Sequence, residues 1–182
     1  MDANAYVEKL TGLVPAAAFE AAASRDFPAV YASAGQWPET ARVLRDDPAL
    51  AFDVLIEVTC ADYFPREPRF EVVYHLVSTS RNERLRVKLR AGEDTPLPTV
   101  QGIWPSGNWL EREVWDMFGV VFEGHPDLRR LLMPEDWEGH PQRKDYPVQV
   151  KKAVVTYEPL QLSEDEFRAN IERDRVKRPR QG

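Results

Sequence analysis

Residues 70–90 read FEVVYHLVSTSRNERLRVKLR, and this stretch decides the fold. Apolar side chains occupy alternate positions on both sides of a turn-like Ser80-Arg81-Asn82. Past the turn, the positions between them are all basic: Arg84, Arg86, Lys88 and Arg90. Alternation with a period of two is typical of a strand with one buried face, and two such strands joined by a short turn form a hairpin. The stretch therefore predicts an antiparallel hairpin with one charged, solvent-facing side.

The same alternation starts upstream, where residues 52–60 read FDVLIEVTC and predict a third strand. The apolar positions predicted to face inward are Phe52, Val54, Ile56, Val58 and Cys60. The segments predicted before it are a helix over 2–10 capped by Asp2, a helix over Ala16–Ser24, a short strand over Ala29–Ala32, and a helix from Pro38 to Asp47-Pro48. Together these elements predict an α+β fold, a two-layer domain with a mainly antiparallel sheet covered by helices.

Downstream of the sheet the chain changes character. Ser106 is predicted to cap a helix that runs through Phe118 and ends at Gly119. We place the core domain at residues 1–125, including this helix, and an extended proline-rich arm at residues 126–182. The arm is expected to close with a helix that starts at a capping box, Ser163 and Glu166. Its apolar residues show no steady period, so self-packing would not offset about 1–2 kcal/mol of backbone entropy per residue. We therefore expect the arm to dock on a partner.

Composition narrows the classes of function. The 182 residues carry a net charge of -6 with both signs mixed, which disfavours nucleic acid and anionic membranes as partners. A single cysteine, Cys60, is too few for an iron-sulfur cluster, and the glycines never show the G-x-G spacing of common dinucleotide sites. No stretch approaches the roughly 20 apolar residues that cross a bilayer. We expect no cofactor in this chain, and membrane contact only through a partner.

One motif is specific enough to point to a family. Residues 111–132 read EREVWDMFGVVFEGHPDLRRLL, preceded by FDVLIEVTCADY and RFEVVYHLVS and followed by Arg143-Lys144-Asp145-Tyr146-Pro147. These strings resemble the C subunit, or 30 kDa-type subunit, of proton-pumping NADH:quinone oxidoreductase (respiratory complex I). The resemblance covers roughly residues 50–150. Two positions depart from the family pattern: Gly107 stands where Ala is more frequent, and Gln142 where Leu is frequent.

The resemblance implies a structural subunit of the peripheral arm without catalytic residues of its own. Electrons would pass from NADH through flavin (FMN) and iron-sulfur clusters in other subunits to quinone, coupled to proton translocation. The chain would contact chiefly the D subunit of that complex, on the cytoplasmic side of the bacterial inner membrane, and would have no activity alone. The signature residues that the resemblance assigns to a partner interface are Glu111, Arg112, Glu113, Asp116, His125, Arg129, Arg130, Arg143, Lys144, Asp145 and Tyr146.

Three other interpretations of these residues remain open at this stage. The acids on the predicted helix could act as a general acid and base, although an amphipathic helix normally carries charges on its solvated face. His125 and His140, each in a string EGHP, could bind a metal with Asp127 or Glu135, or simply mark loop corners. The basic residues between 129 and 144 could contact nucleic acid, although Glu135, Asp136, Glu138 and Asp145 are interleaved with them. Related subunits also serve membrane hydrogenases and oxidoreductases with other electron donors.

Overall fold

The computed structural model describes residues 1–147 and 163–169, and helices and strands are interspersed along the first range. A one-turn 3-10 helix, Ala34–Gln36, leads into the second α-helix. The elements in chain order are α1 (Ala3–Leu13), β1 (Phe19–Ala22), β2 (Ala29–Ala32), α2 (Trp37–Asp46), β3 (Val54–Asp62), β4 (Phe70–Ser78), β5 (Glu83–Ala91), β6 (Leu97–Pro98), α3 (Gly107–Phe118) and β7 (Phe122–Glu123).

Five strands form one sheet in the order β1-β2-β5-β4-β3, and β6 and β7 form a short parallel pair. The predicted hairpin is confirmed: β4 and β5 pair antiparallel with Ser78 opposite Glu83. Asn82 closes the turn at φ 52°, a conformation that Asn tolerates better than most residues. Only β2 and β5 run parallel within this sheet, because α2, β3 and β4 intervene between them and supply the crossover. The α+β class with a mainly antiparallel sheet is therefore confirmed.

The helices cover one face of this sheet and build the core with it. Trp37, at the start of α2, is fully buried and lies 4.6 Å from the Tyr74 ring and 6.5 Å from the Trp104 ring, centroid to centroid. The buried residues of the hairpin are the predicted ones: Phe70, Val72, Tyr74, Leu76, Leu85, Val87 and Leu89. The opposite face is basic on β5, whereas on β4 it alternates polar Glu71 and His75 with Val73 and Val77.

The predicted inward face of β3 was wrong at its start. The pairing of β3 with β4 shifts register between Leu55 and Glu57, which is a β-bulge. Because a shift of one residue exchanges the two faces of a strand, Leu55 is buried while Val54 and Ile56 are 39% and 53% exposed. Beyond the bulge Val58 and Cys60 face the core as predicted.

The helix predicted for Ala16–Ser24 was also wrong, since residues 19–22 form β1. Alanine favours a helix by less than about 1 kcal/mol per residue over most others. In the structure this segment instead pairs with β2 along its whole length, from Phe19 opposite Ala32 to Ala22 opposite Ala29. Tertiary pairing therefore overrides local propensity here. The helix at the amino-terminal end is confirmed, with the Asp2 carboxylate accepting from the backbone N–H of Ala5, and so is α2.

The predicted bounds of α3 hold, but one of its caps works differently. Gly119 ends the helix at φ 79° and donates its N–H to the Trp115 carbonyl, as predicted for a left-handed glycine. Ser106 does not cap the helix with its side chain. Its Oγ donates instead to the Leu55 carbonyl at 2.9 Å, and so fixes the start of α3 to the bulge of β3.

Residues 126–147 contain no regular helix or strand, and we name them the strap. The first compact unit of the chain extends from Met1 to Pro147 and therefore includes the strap. The domain boundary predicted at residue 125 does not coincide with the end of this unit. In the second described range, residues 164–169 are helical, and Ser163 and Glu166 form the predicted capping box. The remainder of the predicted terminal helix lies outside the described residues. Among the described helices, none is long and apolar enough to cross a membrane.

Candidate functional site

The signature motif folds into a junction between the carboxyl-terminal end of α3 and the strap. The last carbonyl groups of an α-helix have no partner within the helix and need donors from elsewhere. Here the strap supplies them. The pairs are His140 Nδ1 with Asp116 O (3.0 Å), Gln142 N with Met117 O (3.0 Å) and Arg143 Nε with Phe118 O (2.5 Å). The end of α3 is thus capped by a segment that lies more than twenty residues further along the chain.

Asp116 is the centre of this junction. Its side chain is fully buried, and one carboxylate oxygen accepts the backbone N–H groups of residues 131, 132 and 133 at 3.0, 2.8 and 2.9 Å. The other oxygen accepts from Arg130 Nη1 at 2.8 Å. Burial acts to raise the pKa of Asp116, but these hydrogen bonds outweigh it and hold the pKa below its ordinary value. The carboxylate therefore stays charged and fixes the course of the strap.

Arg130, the ion-pair partner of Asp116, makes further contacts within the strap. Its guanidinium also donates to the carbonyl groups of Trp137 at 2.7 Å and Gly139 at 3.0 Å, and it lies over the Trp115 ring at 5.4 Å. A planar guanidinium with five N–H groups can satisfy several acceptors at once, which an ammonium group cannot do with this geometry. Arg130 therefore holds the strap together as well as fixing it to α3.

Arg112, one turn earlier on α3, has the same role at the beginning of the strap. Its side chain is buried and donates to the carbonyl groups of Arg129 at 3.2 Å and Arg130 at 3.1 Å. The Trp109 ring covers the guanidinium at 4.9 Å. The Arg112 guanidinium therefore binds carbonyl groups of its own chain.

A second charge cluster fixes the far end of the strap, and sequence analysis missed its central residue, Arg69. This side chain is almost fully buried and pairs with Asp62 at 2.9 Å, Asp145 at 2.5 Å and Glu93 at 3.0 Å. Arg143 joins the cluster through Glu93 at 2.7 Å. A charge directly before the apolar alternation of β4 is the sequence signal that could have indicated it. Arg69 ties the sheet to the strap.

The cluster around Arg69 stabilises the charged form of the Asp62 carboxylate. Burial acts to raise the pKa of Asp62, but hydrogen bonds from Arg69 and from the backbone N–H groups of Lys144 and Phe64 lower it to about 2. The carboxylate is therefore charged at neutral pH. It anchors the strap through Lys144 and the loop after β3 through Phe64.

Glu111 differs from the other acids of the motif. It is fully buried and accepts hydrogen bonds from Thr99 Oγ1 at 2.5 Å and from the backbone N–H of Val100 at 2.8 Å. Among residues 1–147 no cation lies within ion-pair distance of it. Burial therefore raises the pKa of Glu111 to about 7, although the two hydrogen bonds oppose the shift. This side chain fixes the segment before α3 to the helix.

The remaining signature residues face outward to different degrees. Glu113, Arg129 and Lys144 have exposed side chains, with Arg129 66% exposed and paired to Asp127 at 2.9 Å. Asp145 is also exposed, at 43%, although it pairs with Arg69, whereas His125 and Tyr146 are partly covered by the chain. Tyr146 stacks near Trp137 and donates its hydroxyl to the Glu138 carbonyl. The motif thus divides into an internal set that builds the strap and an outward set on its surface.

The two EGHP strings lie at corners of the backbone. Gly124 and Gly139 adopt φ 79° and 77°, the left-handed region that favours glycine. His125 interacts with the Asn108 carbonyl and His140 with the Asp116 carbonyl. Within the described ranges, no three His, Cys, Asp or Glu side chains are grouped as a metal ion would require. The geometry favours the interpretation of both strings as loop corners.

The fold, a five-stranded and mainly antiparallel sheet covered by helices, defines the class of protein to which this chain belongs. A chain in the structure of the membrane-bound sulfane sulfur reductase, an archaeal respiratory membrane complex, has the same fold with a TM-score of 0.66 and 24% identity. The comparison covers 98% of this chain and 94% of that one. The sequence then identifies the family within this class: the chain belongs to the family of the respiratory-chain NADH dehydrogenase 30 Kd subunit, whose sequence model matches residues 30–152.

Relatives that are named as the C subunit of NADH-quinone oxidoreductase support the same assignment. The protein from Roseiflexus sp. (strain RS-1) is 44% identical over 86% of this chain and 91% of its own length. Those from Azorhizobium caulinodans and Rhodospirillum rubrum are 53% and 50% identical over 70% and 71% of this chain. The matches span 64% and 66% of these two relatives, slightly less than two thirds. The family resemblance seen in the motif is therefore confirmed.

Proposed function

We propose that the chain is a structural subunit, without catalytic residues, of the peripheral arm of proton-pumping NADH:quinone oxidoreductase. Electrons pass from NADH through FMN and iron-sulfur clusters in other subunits to quinone, and this chain supports that transfer by holding subunits in place. Its main partner is the D subunit, and the chain lies on the cytoplasmic side of the bacterial inner membrane, as a peripheral part of the membrane complex. Contact with the membrane runs through the complex.

The observation that carries this proposal is that the buried charged residues of the motif bind the strap of the same chain. Arg112, Asp116 and Arg130 direct their charges to the strap, so they are not available to a substrate. A nucleophile, a general base or a metal needs charged or polar groups that converge on open space. The motif instead produces a fixed surface with Glu113, Arg129 and Lys144 outward. Such a surface suits a protein partner with complementary charges.

The single buried thiol supports the assignment of the redox centres to other subunits. Cys60 lies in β3, and burial raises its pKa to about 12. An iron-sulfur cluster needs several cysteine ligands, and this chain has one cysteine. FMN and the clusters are accordingly assigned to partner subunits.

The test is an affinity purification of the tagged full chain from mildly solubilised membranes of its host. We expect the other peripheral-arm subunits to co-purify in fixed stoichiometry with NADH:quinone reductase activity, and the D subunit to be the neighbour found by short cross-linkers. The chain purified alone should show neither flavin nor iron-sulfur absorption and no NADH oxidation. Stoichiometric zinc, salt-sensitive retention on single-stranded DNA, or a chromophore in the isolated chain would contradict the proposal.

A further inference from the structure

One side of α3 is left open between β3 and the strap. Ser106, at the start of the helix, is fixed to the Leu55 carbonyl of β3, and Asp116, near its end, is fixed to the strap. Successive residues of an α-helix are turned by about 100° around its axis. Trp109 and Glu113 therefore fall on the stripe between these two sides, and both are exposed.

Large apolar side chains are exposed on this stripe and on both of its borders. Trp109, on the stripe, is 59% exposed. Ile56, next in sequence to the anchored carbonyl of β3, is 53% exposed, and Leu132 of the strap is 60% exposed. Single exposed apolar residues are ordinary, but several on one surface are typical of an interaction site. We name these three residues and Glu113 the α3 face.

The Trp109 ring is held in place by the chain itself. It lies over the buried Arg112 guanidinium at 4.9 Å, and Arg112 in turn donates to the carbonyl groups of Arg129 and Arg130. A side chain that is already ordered loses less entropy when a partner binds. Trp is also among the residue types most enriched at the energetic centres of protein interfaces. Trp109 therefore has the character of an interface anchor.

Glu113 places one negative charge beside this ring. Among residues 1–147 and 163–169 it forms no ion pair. The neighbouring bases have other partners, since Arg112 donates to strap carbonyl groups and Arg129 pairs with Asp127 at 2.9 Å. A carboxylate in this position complements a Lys or Arg of another protein.

The same charge argues against two other occupants. A contact between two copies of this chain, centred on the α3 face, would bring two Glu113 carboxylates together across the two-fold axis. An anionic lipid surface would be repelled by Glu113 and by the net charge of -6. A different protein with a basic side chain is the occupant that the face favours.

We propose that the α3 face is the docking site for an apolar segment of another subunit of the same assembly, and that this segment carries a Lys or Arg. The base pairs with Glu113, and apolar side chains pack on Trp109. Ile56 and Leu132 at the borders exclude water from the contact. The inference rests on the proposed function because it takes the partner to be a subunit of that complex.

The test places a photo-cross-linking benzoylphenylalanine at position 109 of the full chain in the assembled complex. We expect a cross-link to another subunit, in a peptide that contains Lys or Arg beside apolar residues. The exposed Glu8 of α1, replaced in the same way, measures the background. A cross-link to a second copy of this chain, to lipid, to a peptide without a base, or to nothing above background would overturn the proposal.

Charge reversal then tests the chemistry of the contact. Glu113→Lys should lower the yield of the cross-link from position 109 by about tenfold or more, and changing the base of the cross-linked peptide to Glu should restore it. Glu8→Lys is the matched control, because Glu8 is also an exposed Glu within a helix. Equal yields in all variants, or loss without rescue, would contradict an ion pair at Glu113.

The two proposals fail in distinguishable ways. If the chain does not co-purify with the other subunits, the proposed function itself is wrong. If it assembles normally and position 109 forms no cross-link above background, the α3 face is not a docking site, while the structural role stands. The melting temperatures of the purified Glu113→Lys and Glu8→Lys chains should match that of the unmodified chain, which shows that the reversal of charge acts on the contact and not on the fold.

Discussion

The Arg130 guanidinium donates to the fully buried carboxylate of Asp116 at 2.8 Å, across fourteen residues of sequence. A buried ion pair offsets its desolvation only when further hydrogen bonds satisfy both groups, and here backbone N–H and carbonyl groups of the strap do so. Side-chain charge thus replaces secondary structure as the means of ordering residues 126–147. This explains how a proline-rich segment without a regular pattern can be fixed on the domain.

The first prediction concerns this pair. Asp116→Asn and Arg130→Met should each lower the free energy of unfolding by about 3–5 kcal/mol, because each leaves a buried partner uncompensated. The double variant should cost less than the sum, by about 0.5–3 kcal/mol, since the two side chains contact each other. Urea unfolding of the purified chain measures all three. Glu113→Gln, exposed on the same helix, serves as the control and should change stability by less than about 0.5 kcal/mol. Additive effects would mean that the contact is unimportant.

The second prediction separates fold from partner binding. Arg129→Glu should leave the melting temperature of the isolated chain nearly unchanged and reduce its recovery with the complex, because Arg129 is 66% exposed. Arg143→Glu should instead lower the melting temperature by several degrees, since Arg143 donates to Phe118 O and pairs with Glu93. Thermal unfolding and co-purification are measured on the same preparations. If Arg129→Glu unfolds the chain, or if Arg143→Glu leaves the melting temperature unchanged, the assignment of Arg129 to the partner surface and of Arg143 to the fold is wrong.

The third prediction uses two glycines with the same backbone angle. Gly119 and Gly124 both adopt φ 79°, so an Ala at either position should cost roughly 1–2 kcal/mol of backbone strain. A Cβ at Gly119 would also overlap the Arg143 guanidinium and lie 2.5 Å from His140 Cδ2, whereas at Gly124 the nearest atom is Thr99 Cγ2 at 3.5 Å. Gly119→Ala should therefore destabilise the chain by about 1–3 kcal/mol more than Gly124→Ala. Equal losses in denaturant unfolding would show that the strap can move aside.

The parts of the fold that sequence predicted are those with a strict local period. The β4 and β5 alternation indicated the hairpin, and Gly119 marked the end of α3, because both signals are carried by neighbouring residues. The bulge at Leu55 in β3 was not predictable, because all residues from Val54 to Ile56 are apolar and either face suits them. Ala16–Ser24 was mistaken for a helix because its partner strand lies outside the local window.

The sequence indicated which residues form the candidate site, but not which of them are buried. On α3, Glu111, Arg112 and Asp116 resemble an ordinary solvated face, and their burial depends on a strap that no period predicts. One signal was available: Glu111 lies three and seven residues before Val114 and Phe118, which places it on the apolar stripe. The interface role of the outward residues stays a prediction.

The last prediction concerns the pH dependence of stability. The pKa of Glu111 is raised to about 7 in the folded chain, above its ordinary value near 4.5, so the folded state binds a proton that the unfolded state has already lost. The stabilisation from this proton is complete below about pH 4.5 and is lost as the pH rises towards 7. Gln resembles the protonated side chain and can still accept from Val100 N. Glu111→Gln should therefore match the unmodified chain in urea unfolding at pH 5 and exceed its stability at pH 8, by up to about 3 kcal/mol. Acids with lowered pKa, such as Asp116, are present in both proteins, so their contribution cancels in the comparison. If Glu111→Gln is equally destabilised at both pH values, the carboxylate and not the carboxylic acid is the form that the fold selects.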